Sequence, residues 1–349
     1  MRVGIIGDVH WNTYSSILRQ RGDKYSVRLE GLINTIQWVE DYAVEHSLDS
    51  IIMLGDFFDR ADINSEEISA LNEIKWSNIP HTFLVGNHEA GRSNLVFSSA
   101  QLLKLFPNFN VIDIPTRVEV DYNHVFYYLP FIHNSEDKVM NKYIHESTDK
   151  KVIVFSHNDI KGVQMGKFLS QEGFEVSDIE SNCNLFVNGH LHNSSLVTSK
   201  IFNIGNITGQ NFGEDARIYP HQMMILDTSD SSINFIDNPY AFNFYGLDMV
   251  HKDVSQIKQT LSNLKNNSIV ALKVSEKNSK EIKDWLTSCS SSNIISYRVM
   301  IEPEVAEDEV TTTLEENISL DYMKKFQEYV IDNISSDALT LEELSSILV

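Results

Sequence analysis

The sequence predicts an α/β fold in which short strands alternate with helices. Three observations point there. Five β-branched or apolar runs, Val3–Ile6, Ile51–Leu54, Thr82–Val85, Val152–Phe155 and Leu185–Val187, have the length and composition of strands. Each run leads into a short polar cluster. Between them lie longer stretches with helical spacing, and strand, polar loop, helix is the rhythm of a βα sheet. Loops at the carboxyl ends of such strands gather on one edge, so residues far apart in sequence converge there.

Taken in order, the first run turns polar at Asp8-Val9-His10. Asp8 and His10 alternate around Val9, so an extended backbone points both to one side. The clearest helix follows over Val27–His46, with Leu29, Leu32, Ile33, Ile36, Val39 and Ala43 on one face. The next four runs lead into Gly55-Asp56-Phe57-Phe58-Asp59, Gly86-Asn87-His88-Glu89, Ser156-His157-Asn158 and Gly189-His190-Leu191-His192. Residues Val111–Leu129 and Ile201–Ile236 read as shorter antiparallel strands, which a second sheet packed on the first would accommodate. Asn238–Gly246, with Pro239 and four aromatics, reads as a connector. After it a small α/β unit is expected, with helices at Val254–Leu264 and Lys280–Leu286 and strands at Ile269–Val274 and Ile294–Ile301. The expected organisation is a domain over 1–238, a smaller one over 239–301, an acidic linker over 302–314 and a helical segment over 315–349. In that last segment Leu320–Ile334 is amphipathic, and Thr340 and Glu343 have capping-box spacing.

The 349 residues are 42% hydrophobic, which supports a core and excludes disorder as the default. The net charge of −21 is the wrong sign for gripping nucleic acid alone, because Lys and Arg supply most non-specific affinity. Residues 302–349 hold thirteen Asp and Glu against Lys324 and Lys325, so much of the acidity lies away from the polar clusters. Cys183 and Cys289 read as reduced thiols rather than a disulfide framework. Met1–Gly7 turns polar too early for a signal peptide, and no run approaches the ~20 apolar residues of a membrane span. The expectation is a cytoplasmic protein, of a bacterial cell or a phage-infected host, without membrane contact.

Carboxylate, imidazole and one amide oxygen together are a ligand set for a pair of divalent metals. Asp8, His10, Asp56, Asn87, His157, His190 and His192 are the candidate ligands. Asp56 is the candidate bridge, since a carboxylate lends one oxygen to each of two ions. An Asp at a strand end also serves as a helix N-cap, and a lone histidine after a buried strand is more often a satisfied core residue. His190 and His192 are two apart and face one way from an extended loop. His88 cannot share the role of its neighbour Asn87, and is placed to donate or orient a proton. Glu89 or Asp59 is expected to hold its other ring nitrogen. Arg19, Arg21, Lys24 and Arg28 form a basic run that either tracks a phosphate backbone or lies on a solvated face.

The ordered set of motifs resembles the calcineurin-like metallophosphoesterase superfamily over roughly residues 1–236. Within it the chain looks most like the nuclease subunit of SbcCD-type repair complexes, including recombination endonuclease subunits of large phages. The closer likeness rests on the early helix with Arg28, the Ile204–Thr208 stretch, and the small C-terminal α/β unit with trailing helices. The resemblance implies a four-layer α/β/β/α sandwich with a capping domain. It implies one metal on Asp8, His10, Asp56 and His192, a second on Asp56, Asn87, His157 and His190, and His88 as the catalytic histidine. Manganese is the metal implied, with magnesium permitted. DNA is the implied substrate, an ABC-type coiled-coil ATPase the implied partner of the C-terminal helices, and a homodimer a further expectation. Trp11, Glu89 and Asp59 depart from the nuclease pattern, and Glu89 with Arg60 also echoes phosphoprotein phosphatases. A phosphoprotein or small-molecule phosphatase, and a metal-retaining structural subunit, therefore stand as alternatives.

Overall fold

Two six-stranded sheets carry the fold. In the computed structural model the described residues are 1–303, apart from 16, 92–93, 146–148, 166–167 and 289–292. The first sheet runs, edge to edge, Ser232–Asp237, Gln222–Asp227, Arg2–Ile6, Ser50–Met53, His81–Leu84 and Phe109–Ile112. Its last four strands are mutually parallel, and Gln222–Asp227 joins them antiparallel. The second sheet runs Ser195–Thr198, Ile201–Asn203, Leu185–Asn188, Lys151–Ser156, His124–Leu129 and Thr116–Glu119, with a parallel centre and antiparallel margins.

Alternation along each strand explains why the sheets stack. Val3, Ile5, Ile52, Leu54 and Leu84 of the first sheet meet Phe126, Tyr128, Ile153, Phe155 and Val187 of the second in one buried cluster. The intervening residues face outward under helices. Ile6, Ile51, Met53 and Phe83 pack with Leu29, Leu32, Ile36 and Val39 of the helix Val27–Glu45. Val125, Tyr127, Val152, Val154 and Phe186 pack with Ile160, Phe174 and Ile179 on the far side. Both faces of the central strands are therefore apolar, which is why they read as continuous hydrophobic runs. The result is the expected four-layer α/β/β/α sandwich.

The long helix starts where Ser26 caps it, its side chain accepting from the Leu29 amide. Its stripe falls as the spacing foretold, but Arg28 and Glu40 are buried in it too. Glu40 reaches His81 Nε2 at 2.7 Å, so a buried charge is tied to the neighbouring strand. The segment expected to be a connector is strand from Asn243 onward. Phe242 and Phe244 bury against Leu18 and Ile269, so the aromatics are core rather than linker. Asn243–Asp248, Ser268–Ser275 and Ile294–Glu302 make a parallel three-stranded sheet, crossed by the helices Val254–Ser262 and Glu276–Ser288. Met1–Glu302 forms one compact unit. Beyond Glu302 and Pro303, the expected linker and the helices of 315–349 lie outside the described residues, as does Cys289. Cys183 is a buried free thiol, and among the described residues no helix is long and apolar enough to cross a membrane.

Phe155 is wholly buried between the sheets, against Phe126 and Tyr128. Phe155→Ala is expected to cost about 3–5 kcal/mol, read as a lowered denaturant midpoint with an unchanged m-value. A loss under about 1 kcal/mol would mean the inter-sheet layer collapses around the cavity.

Candidate metal centre

Each polar cluster sits at the carboxyl end of a parallel strand, and the strand order of both sheets brings these ends to one edge. Among the described residues, three groups of side chains offer ligand atoms within 4.8 Å of one another: Asp8 with His10 and His192, Asp56 with His157 and His190, and His10 with Asp59 and His88. Asn87 joins the second group, its Oδ1 lying 3.2 Å from His157 Nε2. All seven sequence-predicted ligand candidates are thus neighbours. His190 and His192 do not face one way: each turns to a different group, because His190 adopts a left-handed φ of 70°. His10 (φ 52°) and Asp56 (φ 48°) are also left-handed. The extended backbone expected at Asp8–His10 is instead a turn. It is locked by the Val9 and His10 amides, which both donate to the Asp56 carbonyl at 3.0 and 2.9 Å.

The imidazoles share one arrangement. His10 Nδ1 donates to Asp59 Oδ1 at 3.0 Å and His192 Nδ1 to Glu214 Oε1 at 3.0 Å. His157 Nδ1 donates to the Leu54 carbonyl at 2.6 Å and His190 Nε2 to Asp159 Oδ1 at 3.1 Å. In every ring one nitrogen is held by an oxygen and the other is left for the centre. That second contact fixes tautomer and orientation in metal-ligating histidines.

The donor set fits a pair of divalent cations on independent grounds. His10 Nε2 and His192 Nε2 lie 3.0 Å apart although each ring already donates through its other nitrogen. Asp8 Oδ1 and His190 Nδ1 are buried polar atoms with no hydrogen-bond partner. A Cβ at Gly86 would fall 2.2 Å from Asp56 Oδ1 and 2.8 Å from His157 Nε2, so glycine keeps the second group open. The field is strongly anionic. Burial alone would lower His157 and His192, yet Asp56 raises the first and Glu214 the second, each to about 9. Burial would raise Asp56, but His157, His10 and His88 hold it well below the usual carboxylate range. His10, with burial outweighing Asp59, is lowered.

His88 stands at the mouth, 40% exposed, with Nε2 4.0 Å from Asp56 Oδ2. Its Nδ1 donates to the backbone carbonyl of Asp59 at 2.9 Å. Asp59 therefore braces His88 through its main chain and His10 through its side chain. Glu89 does not hold His88. It is fully buried and accepts the amides of Asp56, Phe58 and Gly86 at 3.0, 2.8 and 2.8 Å, fastening two ligand loops together. Burial and then the Asp56 charge push its carboxyl up to about 8.

The basic run does not share one surface. Arg28 is buried, donating to the His10 carbonyl at 2.9 Å and Gln210 at 2.5 Å. Helical spacing turns position 28 inward beneath the first ligand loop. Arg21 pairs with Glu66 at 2.6 Å and Lys24 with Glu73 at 2.5 Å, and Arg19 is exposed. Trp11 is buried, with Nε1 donating to the Glu67 carbonyl at 3.1 Å. Sequence reading missed Glu214, Asp159 and Lys138. Asp159 lies one residue past Ser156-His157-Asn158 and could have been included with it. Glu214 follows the last motif with no local pattern to mark it.

A family model described as calcineurin-like phosphoesterase matches residues 1–194. No curated protein matches the chain. Similar solved structures include the protein TT1561 of Thermus thermophilus, 11% identical with a TM-score of 0.37 over 68% of this chain and 98% of that one. A dimetal phosphatase from Danio rerio is 12% identical with a TM-score of 0.38 over 68% and 98%. A 5'-nucleotidase from Candida albicans is 15% identical with a TM-score of 0.36 over 68% and 51%.

Glu214→Gln removes the anion behind His192 while keeping its shape. Manganese affinity, measured by calorimetry, is expected to fall about 10–100-fold. Unchanged affinity would show that His192 needs no carboxylate behind it.

Proposed function

Because the chain belongs to the calcineurin-like phosphoesterase family, we propose that it is a manganese-dependent DNA nuclease. In this reading it hydrolyses phosphodiesters in recombination or repair beside an ABC-type coiled-coil ATPase. The hydrolytic part of the reading is carried by the braced imidazoles, whose inward nitrogens surround Asp8 and Asp56. Asp8, His10, Asp56 and His192 would hold one ion, and Asp56, Asn87, His157 and His190 the other. When bound, two such ions supply Lewis-acid polarisation of a phosphoryl group and a nucleophile at neutral pH.

The protein's own contribution is positional. Asp59 keeps the proton of His88 on Nδ1, so Nε2 is the atom that meets substrate. From the open mouth of the site it can hold a proton for the departing sugar oxygen. Glu89 keeps the Asp56 and Asn87 loops in register, so ligands and proton donor stay at fixed separation.

The choice of a diester is supported by where the cations go. Arg60 directs Nη2 to both Glu67 oxygens at 2.7 Å and Nη1 to Asn12 at 2.8 Å. A fork committed to a buried carboxylate is poorly placed to clamp the second negative charge of a phosphomonoester. The small parallel sheet also borders the centre. The Gly209 amide donates to the Phe242 carbonyl, in the segment that leads to Glu214, and Arg298 lies over the Phe212 ring at 4.6 Å. Such a flanking unit suits a substrate longer than one nucleotide. The ATPase partner and the homodimer rest on the motif resemblance.

His88→Ala is expected to cut manganese-dependent cleavage of linear duplex DNA by about 10²–10⁴-fold while calorimetry shows near-normal metal binding. Equal loss of metal would give His88 a ligand's role. A phosphomonoester turned over faster than any diester would replace the nuclease reading with the phosphatase one. Removing residues 315–349 should abolish ATPase binding and spare cleavage of a small phosphodiester, and retained complex formation would refute that placement.

A further inference from the structure

Two buried cations stand behind the centre, and they serve its halves unequally. Lys138 is buried, and its Nζ donates to Asp159 Oδ2 at 2.6 Å. Asp159 Oδ1 meets His190 Nε2 at 3.1 Å, and the other ring nitrogen of His190 is buried without a partner. Lysine, carboxylate and imidazole thus form one line that ends in the Asp56–His157–His190 group. Lys138 also lies 5.2 Å from the centre of the Phe131 ring, which packs on His190 at 5.5 Å. Lysine is almost never buried without a purpose of this kind.

The other half is built differently. His10 and His192 are braced by Asp59 and Glu214. Asp59 takes its further bond from the neutral Asn12 and Glu214 from the neutral Asn206 and Asn211. The nearby cation, Arg28, donates to the His10 carbonyl and Gln210 rather than to either carboxylate. With Asp56 and Asp8 set aside as near to both groups, the first half holds Asp59 and Glu214 against Arg28. The second holds Asp159 against Lys138, and its other carboxyl group, Glu89, is taken up by the amides of Asp56, Phe58 and Gly86.

Resting on the reading of these groups as metal sites, we propose that Lys138 is a positioning residue that keeps the Asp56–His157–His190 site the weaker of the two. Divalent cations then load in two separate steps, the Asp8–His10–His192 site first. Two effects act together. A lysine on Asp159 draws charge from the carboxylate and leaves His190 a less basic ligand. Its own positive charge, held in a low-dielectric surrounding, opposes a dication nearby. In the first half the carboxylates outnumber the one buried cation, Arg28, which donates to neither of them. Hydrolysis then depends on the second ion, so activity follows the free cation concentration while the first site stays filled.

The test titrates the chelator-stripped full chain with manganese by calorimetry, with electron paramagnetic resonance counting free ion. The wild type is expected to show two events at least about tenfold apart in Kd. Lys138→Met should leave the tighter event in place and strengthen the weaker one about tenfold, which is about 1.4 kcal/mol. Lys138→Arg, which keeps the charge, should retain the wild-type separation. Glu214→Gln probes the other half without touching Lys138 and should weaken the tighter event alone, so the assignment stands or falls even where Lys138→Met does not fold. Two indistinguishable events in the wild type overturn the proposal. So does a weaker event that Lys138→Met leaves unmoved or loosens, or a Glu214→Gln loss confined to the weaker event. Absence of any manganese binding would instead remove the metal reading itself.

Discussion

Asp56 is buried where the two sheets meet, and the rest of the centre is arranged around the cost of keeping that charge there. An isolated buried carboxylate is strongly disfavoured. Here His157 Nε2 approaches one oxygen at 3.1 Å and the His88 amide the other at 2.9 Å. The Asp56 amide is held by Glu89, and its carbonyl accepts two amides from the first ligand loop. One residue therefore ties together loops from both sheets. Loosening it would disturb the placement of Asp8, Asn87 and His157 at once, so both ligand groups depend on this one residue for their geometry.

Backbone strain collects at the same place. His10, Asp56 and His190 are three of the six non-glycine residues with positive φ among the described residues. Each left-handed residue costs free energy that surrounding structure must offset. The offset is visible. The His10 and Val9 amides bind the Asp56 carbonyl, the Asp56 amide binds Glu89, and the His190 amide binds Asp8 Oδ2 at 3.1 Å. Reversing each chain two to four residues past its strand lets side chains from parallel strands aim at a common point instead of straight out from the sheet edge.

Much of this was legible in the sequence, and the parts that were not have physical reasons. Strands buried on both faces leave unbroken apolar runs, so their ends, and the polar residues there, stand out. The stripe Leu29, Leu32, Ile36, Val39, Ala43 needed only helical spacing. The reading failed where a residue's surroundings come from elsewhere in the chain. Arg28 looks like a surface cation until the loop at His10 covers it. Glu89 looks like a proton-relay partner until the turn at Asp56 presents its amides. Glu214 and Lys138 lie 22 and 52 residues in sequence from the histidines they support, directly or through Asp159, and no local pattern reports such contacts. Backbone handedness at His10, Asp56 and His190 was equally hidden, because none is glycine. The pair His190 and His192 was therefore read as facing one way.

The charge of the chain gives the centre a further property. At −21 overall, with Asp8, Asp56, Asp59, Asp159 and Glu214 converging on one edge, the site repels a phosphate unless something reverses its sign. The nearby side-chain cations are not free to do so. Arg60 is directed to Glu67, Lys138 to Asp159, and Arg28 lies under His10. A cation bound among these carboxylates would supply the attraction for substrate as well as the chemistry. Binding of substrate and of metal are then linked, and by reciprocity the phosphate raises the affinity for the ion it meets. The protein's own groups would in that case discriminate little by charge and much by geometry. What selects a substrate is whether a phosphoryl group can reach the inward nitrogens' side of the cleft while His88 Nε2 stands beside the departing oxygen.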